Sequence, residues 1–119
     1  MESNQEKGAA GEMLAVKYLQ EKGFTILHRN WRRGHLEVDL VAERKGLLHF
    51  VEVKSRTSRH FGYPEERVNK EKVRNLMRAA AAYIDCHPGW KRFQIDILSI
   101  QCIHGETPAF LFIEDIYDF

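Results

Sequence analysis

The run Leu47-Leu48-His49-Phe50-Val51-Glu52-Val53-Lys54 constrains this chain more than any other stretch. Residues two apart on a strand face the same way, so Glu52 and Lys54 project together while Val51 and Val53 pack on the opposite side. Leu47–Val53 is too apolar for a freely solvated edge strand, so the run belongs inside a sheet. The preceding run, Leu36–Ala42, pairs Glu37 and Asp39 on one face in the same manner. Glu43-Arg44-Lys45-Gly46 joins the two runs as a short polar connection ending in glycine, the mark of a hairpin turn.

Around this hairpin the periodicities predict a complete domain. Ser3 and Glu6 have the form of a capping box, and Ala10, Leu14, Ala15, Tyr18 and Leu19 recur at helical spacing up to Lys22, with Gly23 as the stop. Gly8 and Gly11 in the first turns are poor helix formers and point to a close approach by another backbone. Phe24–Arg29 reads as a strand. A second helix is expected from Glu65 to Asp85, with Val68, Val73, Leu76, Ala80 and Tyr83 as its core stripe. Strands at Arg92–Ile100 and Phe110–Ile113 complete the chain. The order α-β-β-β-α-β-β predicts one domain over residues 1–119, of α/β (α+β) class, with a mixed central sheet flanked by helices.

Composition removes several function classes. With 44% hydrophobic and 29% charged residues the chain is neither disordered nor low-complexity. Its apolar runs are too short to span a membrane, and MESNQEKGAAGE has no apolar signal region, so a cytoplasmic location is expected. Cys86 and Cys102 are too few for a disulfide framework, and their arrangement with His87 and His104 matches no common zinc module.

The net charge of +1 conceals segregation. Residues 54–74 hold seven basic and three acidic side chains, whereas 101–119 hold four acidic and no lysine or arginine. Arg29, Arg32 and Arg33 form a second basic cluster, interleaved with His28, Trp31 and His35. A face attractive to phosphates and an ordinary solvated surface both fit this pattern.

If the two runs pair as a hairpin, Glu37, Asp39 and Glu52 converge with Lys54. Carboxylates so gathered repel one another unless a cation is bound, and hard oxygen ligands on rigid strands suit Mg²⁺ or Mn²⁺. A lysine beside such ligands can orient or help deprotonate a water attacking a phosphodiester. Asp39, a twelve-residue gap, then Glu52-Val53-Lys54 resembles the PD-(D/E)XK nuclease signature, with Val38 in place of the usual proline.

A broader likeness, to the YraN-like family of endonuclease-related proteins, runs along nearly the whole chain. It is carried by Gly8-Ala9-Ala10-Gly11-Glu12, Gly23-Phe24-Thr25-Ile26-Leu27, Asn30-Trp31-Arg32, Glu37-Val38-Asp39-Leu40-Val41, Phe50-Val51-Glu52-Val53-Lys54-Ser55-Arg56, Phe61-Gly62, Val68 with Lys72, Ala82-Tyr83-Ile84 and Arg92-Phe93 with Asp96. Leu36 stands where the family usually has glycine. The resemblance implies a restriction-endonuclease-like core, similar to that of Holliday-junction resolvases. By position it implies Asp39 and Glu52 as metal ligands, Lys54 as the catalytic lysine and Glu12 as a residue that completes or shapes the site. Glu37 falls on the family's Glu-x-Asp pattern, as a ligand or as a support for one.

Ser55, Arg56, Arg59 and Lys72 follow as candidate phosphate contacts, with Arg32 from the second basic cluster. Trp31 is read either as a base-stacking ring or as packing, and Asp96 as a far member of the acidic cluster or a buried hydrogen-bonded carboxylate. The expected function is metal-dependent hydrolysis of DNA, with branched DNA as a substrate and a homodimer as the acting form. The alternative is a nucleic-acid-binding or assembly module with a nuclease fold and no turnover.

Overall fold

The computed structural model describes residues 4–57 and 70–116, with side chains from Ala10 onward. Helix α1 (Asn4–Glu21) is followed by strands β1 (Thr25–Arg33), β2 (Leu36–Arg44) and β3 (Leu47–Arg56), helix α2 (Lys70–Cys86), and strands β4 (Phe93–Gln101) and β5 (Ala109–Ile113). The strands form one mixed sheet in the order β1-β2-β3-β4-β5. Pairing is antiparallel except between β3 and β4, which the α2 crossover makes parallel. The element order, the meander and the crossover are those expected from periodicity. Ser3, Arg59, Phe61, Gly62, Val68 and the expected helix start at Glu65 lie outside the described residues.

The interior strands are apolar on both faces because each face carries a helix. On one side α2 packs Leu76, Ala79, Ala80 and Tyr83 onto Val38, Val41, Leu48, Phe50 and Ile95. On the other, α1 packs Ala15 and Leu19, with Phe24 after it, onto Leu40, Ala42, Val51, Leu98 and Ile100. Trp31 belongs to the first layer: its ring meets Tyr83 edge-on at 5.3 Å, so it is packing.

Strand β1 runs four residues beyond the expected Arg29. It does so across Asn30, which takes a left-handed backbone (φ 52°) that asparagine tolerates better than most residues. The close approach at Gly11 is also present, although the neighbour is a side chain: a Cβ there would lie 1.9 Å from Ser55 Oγ and 3.1 Å from Ser55 Cβ. Glycine thus lets α1 sit against the end of β3.

On the α1 face, Asp96 is fully buried and is the second of the two readings above. Its Oδ2 lies 2.6 Å from His49 Nδ1, and its Oδ1 accepts from Gln94 Nε2 (2.8 Å) and from the Asp115 backbone N–H (2.9 Å). Glu114 completes this group, with its ligand-type atom within 4.8 Å of those of His49 and Asp96. It also faces Arg44 Nη2 at 3.6 Å. Apart from Gln94 with Asp96, two residues apart on β4, these contacts are not readable from spacing, because they join different strands and the chain after β5.

Candidate functional site

The site forms where β2 and β3 part. Their register runs from Arg44↔Leu47 to Leu40↔Val51 and ends there. At the next position Val53 N–H donates to Asp39 Oδ2 at 2.8 Å, so a side chain takes up a donor that a strand carbonyl would otherwise receive. Asp39 is thereby tied across to β3, within electrostatic reach of Glu52, Glu37 and Lys72.

Glu52 is buried on the central strand and is served by two ammonium groups. Lys72 Nζ, from the first turn of α2, lies 2.7 Å from Glu52 Oε1, and Lys54 Nζ lies 3.6 Å from the same oxygen. The first is a full charge-assisted hydrogen bond; the second is a looser ion pair. An open cleft of about 350 Å³ abuts them, lined by His35, Leu36, Glu37, Glu52, Glu71, Lys72, Asn75 and Leu76.

The electrostatics follow from this packing. Burial pushes Asp39 up from 3.8 to about 6, and the charges of Glu52 and Glu37 add to the rise, against the Val53 N–H and Lys72. Burial, with Lys72 alongside, pulls Lys54 below the usual lysine value although Glu52 opposes this. For Lys72 burial acts downward too, but the hydrogen bond and charge of Glu52 outweigh it and the net direction is up.

The shift of Asp39 has a stability consequence. A carboxylate with a raised folded pKa binds its proton more tightly in the native state, so native stability falls as pH rises from about 4 to about 6. The ceiling on this loss is about 3 kcal/mol, from the size of the shift. Asp39→Asn keeps an acceptor for Val53 N–H and removes the charge. It should therefore be about 1–3 kcal/mol more stable than the parent at pH 7 and nearly equal to it at pH 4. Urea midpoints at the two pH values check this; a stabilisation independent of pH would refute the assignment.

The remaining expected residues are placed as follows. Glu12 on α1 accepts from Asn30 Nδ2 with both oxygens (3.0 Å each) and from Arg29 Nε (3.2 Å). Asn30 stands opposite Asp39 in the β1–β2 register, between Arg29↔Leu40 and Trp31↔Val38, so Glu12 is tied to the strand beside the site. Glu37 is exposed and pairs with Arg32 Nε at 3.0 Å, which joins two expected residues to each other. Ser55 abuts Gly11, while Arg56 has a buried Nη1 with no hydrogen-bond acceptor among the described residues. Arg59 lies outside those residues.

Two side chains make contacts at the candidate site beyond those expected from the sequence. Lys72 is expected on the phosphate-facing surface but lies on Glu52 itself. Asn30, the Glu12 anchor, had only its place in Asn30-Trp31-Arg32 as a signal.

Cys86 and Cys102 are both free thiols, with Arg33 Nη1 2.6 Å from Cys86 Sγ. Among the described residues no helix is long and apolar enough to cross a membrane.

The chain is 47% identical over 113 residues to a UPF0102 protein of Bacteroides thetaiotaomicron, covering 92% of this chain and 88% of the relative. It is 42% identical over 105 residues to one of Syntrophomonas wolfei (87% and 91%) and 38% over 116 residues to one of Mycolicibacterium vanbaalenii (97% and 96%). A family model, that of the uncharacterised protein family UPF0102, matches residues 11–100, a span that takes in Glu12, Asp39, Glu52, Lys54 and Lys72. With its site inside that span and its length shared with these relatives, the chain belongs to the UPF0102 family.

Proposed function

We propose that this protein is a metal-dependent endonuclease-like protein that hydrolyses DNA phosphodiesters, on a core of restriction-endonuclease type. The observation that carries the reading is the gathering of Asp39, Glu52 and Lys54 where β2 and β3 separate, with an open cleft reached through Glu52 and Lys72.

The donor set fits a hard divalent cation. Asp39 and Glu52 offer carboxylate oxygens on two rigid strands, and Asp39, raised to about 6 chiefly by burial and further by the charges of Glu52 and Glu37, is a carboxylate whose charged form a bound cation would favour. Asp39 and Glu52 would hold Mg²⁺ or Mn²⁺, which when bound supplies Lewis-acid polarisation of the phosphoryl oxygen and a more acidic water. Lys54 lies on the same strand face and orients the attacking water, and its ammonium form offsets charge building on the phosphoryl oxygens. Arg56, two residues beyond Lys54 on the same strand, is a candidate contact for a DNA phosphate. Glu12 fixes the β1 strand beside Asp39 through Asn30.

With a net charge of +1 the chain has little to offer a uniform duplex, since phosphate neutralisation supplies most non-specific affinity. We therefore assign it branched DNA, met by two copies of the chain. The test is a calorimetric Mn²⁺ titration, followed by cleavage assays on four-way, flapped and linear DNA. Saturable binding should disappear in both Asp39→Asn and Glu52→Gln. Metal binding and DNA binding without cleavage of any substrate would establish the non-catalytic module instead.

A further inference from the structure

We propose that Lys72 is an internal counter-ion of the acidic centre, which a divalent metal must displace from Glu52, so that this residue sets the metal affinity of the site. The inference rests on the metal-site reading above and concerns which side chain the ion competes with.

Two ammonium groups address one carboxylate oxygen, but not equally. Lys72 Nζ stands at 2.7 Å from Glu52 Oε1 and Lys54 Nζ at 3.6 Å, so Lys72 holds the hydrogen bond and Lys54 stands alongside. An ammonium at 2.7 Å and a divalent cation on the same carboxylate repel each other and share its charge. A metal on Glu52 therefore competes with the closer cation, Lys72.

Mobility decides which partner moves. The Glu52 side chain, 11% exposed, is fixed on a central strand, whereas that of Lys72 is 41% exposed on the first turn of α2. Its four-carbon stem can swing the ammonium into the cleft that Glu37, Glu52 and Lys72 line. Lys54, by contrast, sits on the β3 backbone two residues from Glu52 and keeps its place beside the ion. The two lysines thus have different parts: Lys54 stays with the chemistry, and Lys72 neutralises the centre until a metal replaces it. By linkage, any anion in the cleft that accepts the displaced ammonium tightens the metal in the same proportion.

The experiment is a Mn²⁺ titration by calorimetry of the wild-type protein, Lys72→Met and Lys70→Met. Lys70 is exposed on the same turn and removes an equal charge without a contact to Glu52 in the path. Lys72→Met should bind Mn²⁺ about tenfold tighter or better, and Lys70→Met should stay within about threefold of wild type. Equal affinities in wild type and Lys72→Met would overturn the displacement while leaving the metal site standing. Absence of Mn²⁺ binding in all three folded proteins would overturn the metal site itself, and this inference with it. A measurement on the wild type covers the case in which Lys72→Met fails to fold: amine acylation of Lys72, followed by mass spectrometry, should speed up several-fold when Mn²⁺ is added. An unchanged rate at saturating Mn²⁺ would refute the displacement.

Discussion

Lys54→Ala is expected to lower metal-dependent DNA cleavage by about 10³-fold while leaving DNA binding within a few-fold of wild type. The lysine does two things at once in the proposed reaction, orienting water and facing developing negative charge, and each alone is worth about 10²-fold or more. Its side chain is only partly buried and forms a loose pair with Glu52 at 3.6 Å, so truncation leaves the fold in place. Lys72 retains Glu52 through its own hydrogen bond, which keeps the carboxylate paired in the variant. Single-turnover cleavage beside a gel-shift titration separates the effects. A parallel loss of binding and cleavage would place Lys54 in substrate affinity, and full activity would remove it from the reaction.

The largest stability effect is expected on the other face of the sheet, at Asp96 on β4. Asp96→Ala should cost about 3–5 kcal/mol, because it removes one partner of a buried, hydrogen-bonded pair and strands the other. His49 Nδ1, Gln94 Nε2 and the Asp115 backbone N–H all lose their acceptor, and two of them tie β3 and the chain after β5 to β4. Asp96→Asn keeps an oxygen for one of these donors and should cost less than half as much. Urea denaturation checks both: the midpoint should fall without a change of slope. A loss under about 1 kcal/mol for the alanine variant would mean that the pair has no net part in stability.

Much of this was legible beforehand, for local reasons. Leu36–Ala42 and Leu47–Lys54 alternate with the period of a strand, and the four residues between them end in a glycine that adopts φ 79°. That fixes the face Glu52 and Lys54 share on β3, whereas on β2 the alternation breaks at Asp39, since Val38 and Leu40 pack on opposite faces of the sheet. The helical stripe Val73, Leu76, Ala80 and Tyr83 is likewise a matter of spacing, and all four are buried. Trp31, Asp96 and Lys72 were different. Each carries a polar or amphipathic group whose partner lies tens of residues away, and spacing holds no record of that partner.

The chain by itself determines its elements, their order, the shared face of Glu52 and Lys54 and its family, because these depend on short-range periodicity and residue identity. Only the tertiary structure decides that Asp39 takes the Val53 N–H, that Lys72 rather than Lys54 holds Glu52, and that Glu12 is bound through Asn30. It also decides that Asp96 joins His49 and the chain after β5 instead of the acidic centre. The physical reason is common to all four. Hydrogen bonds and ion pairs act over about 3 Å, and which groups come that close is settled by how helices and strands dock, a property of the packed whole.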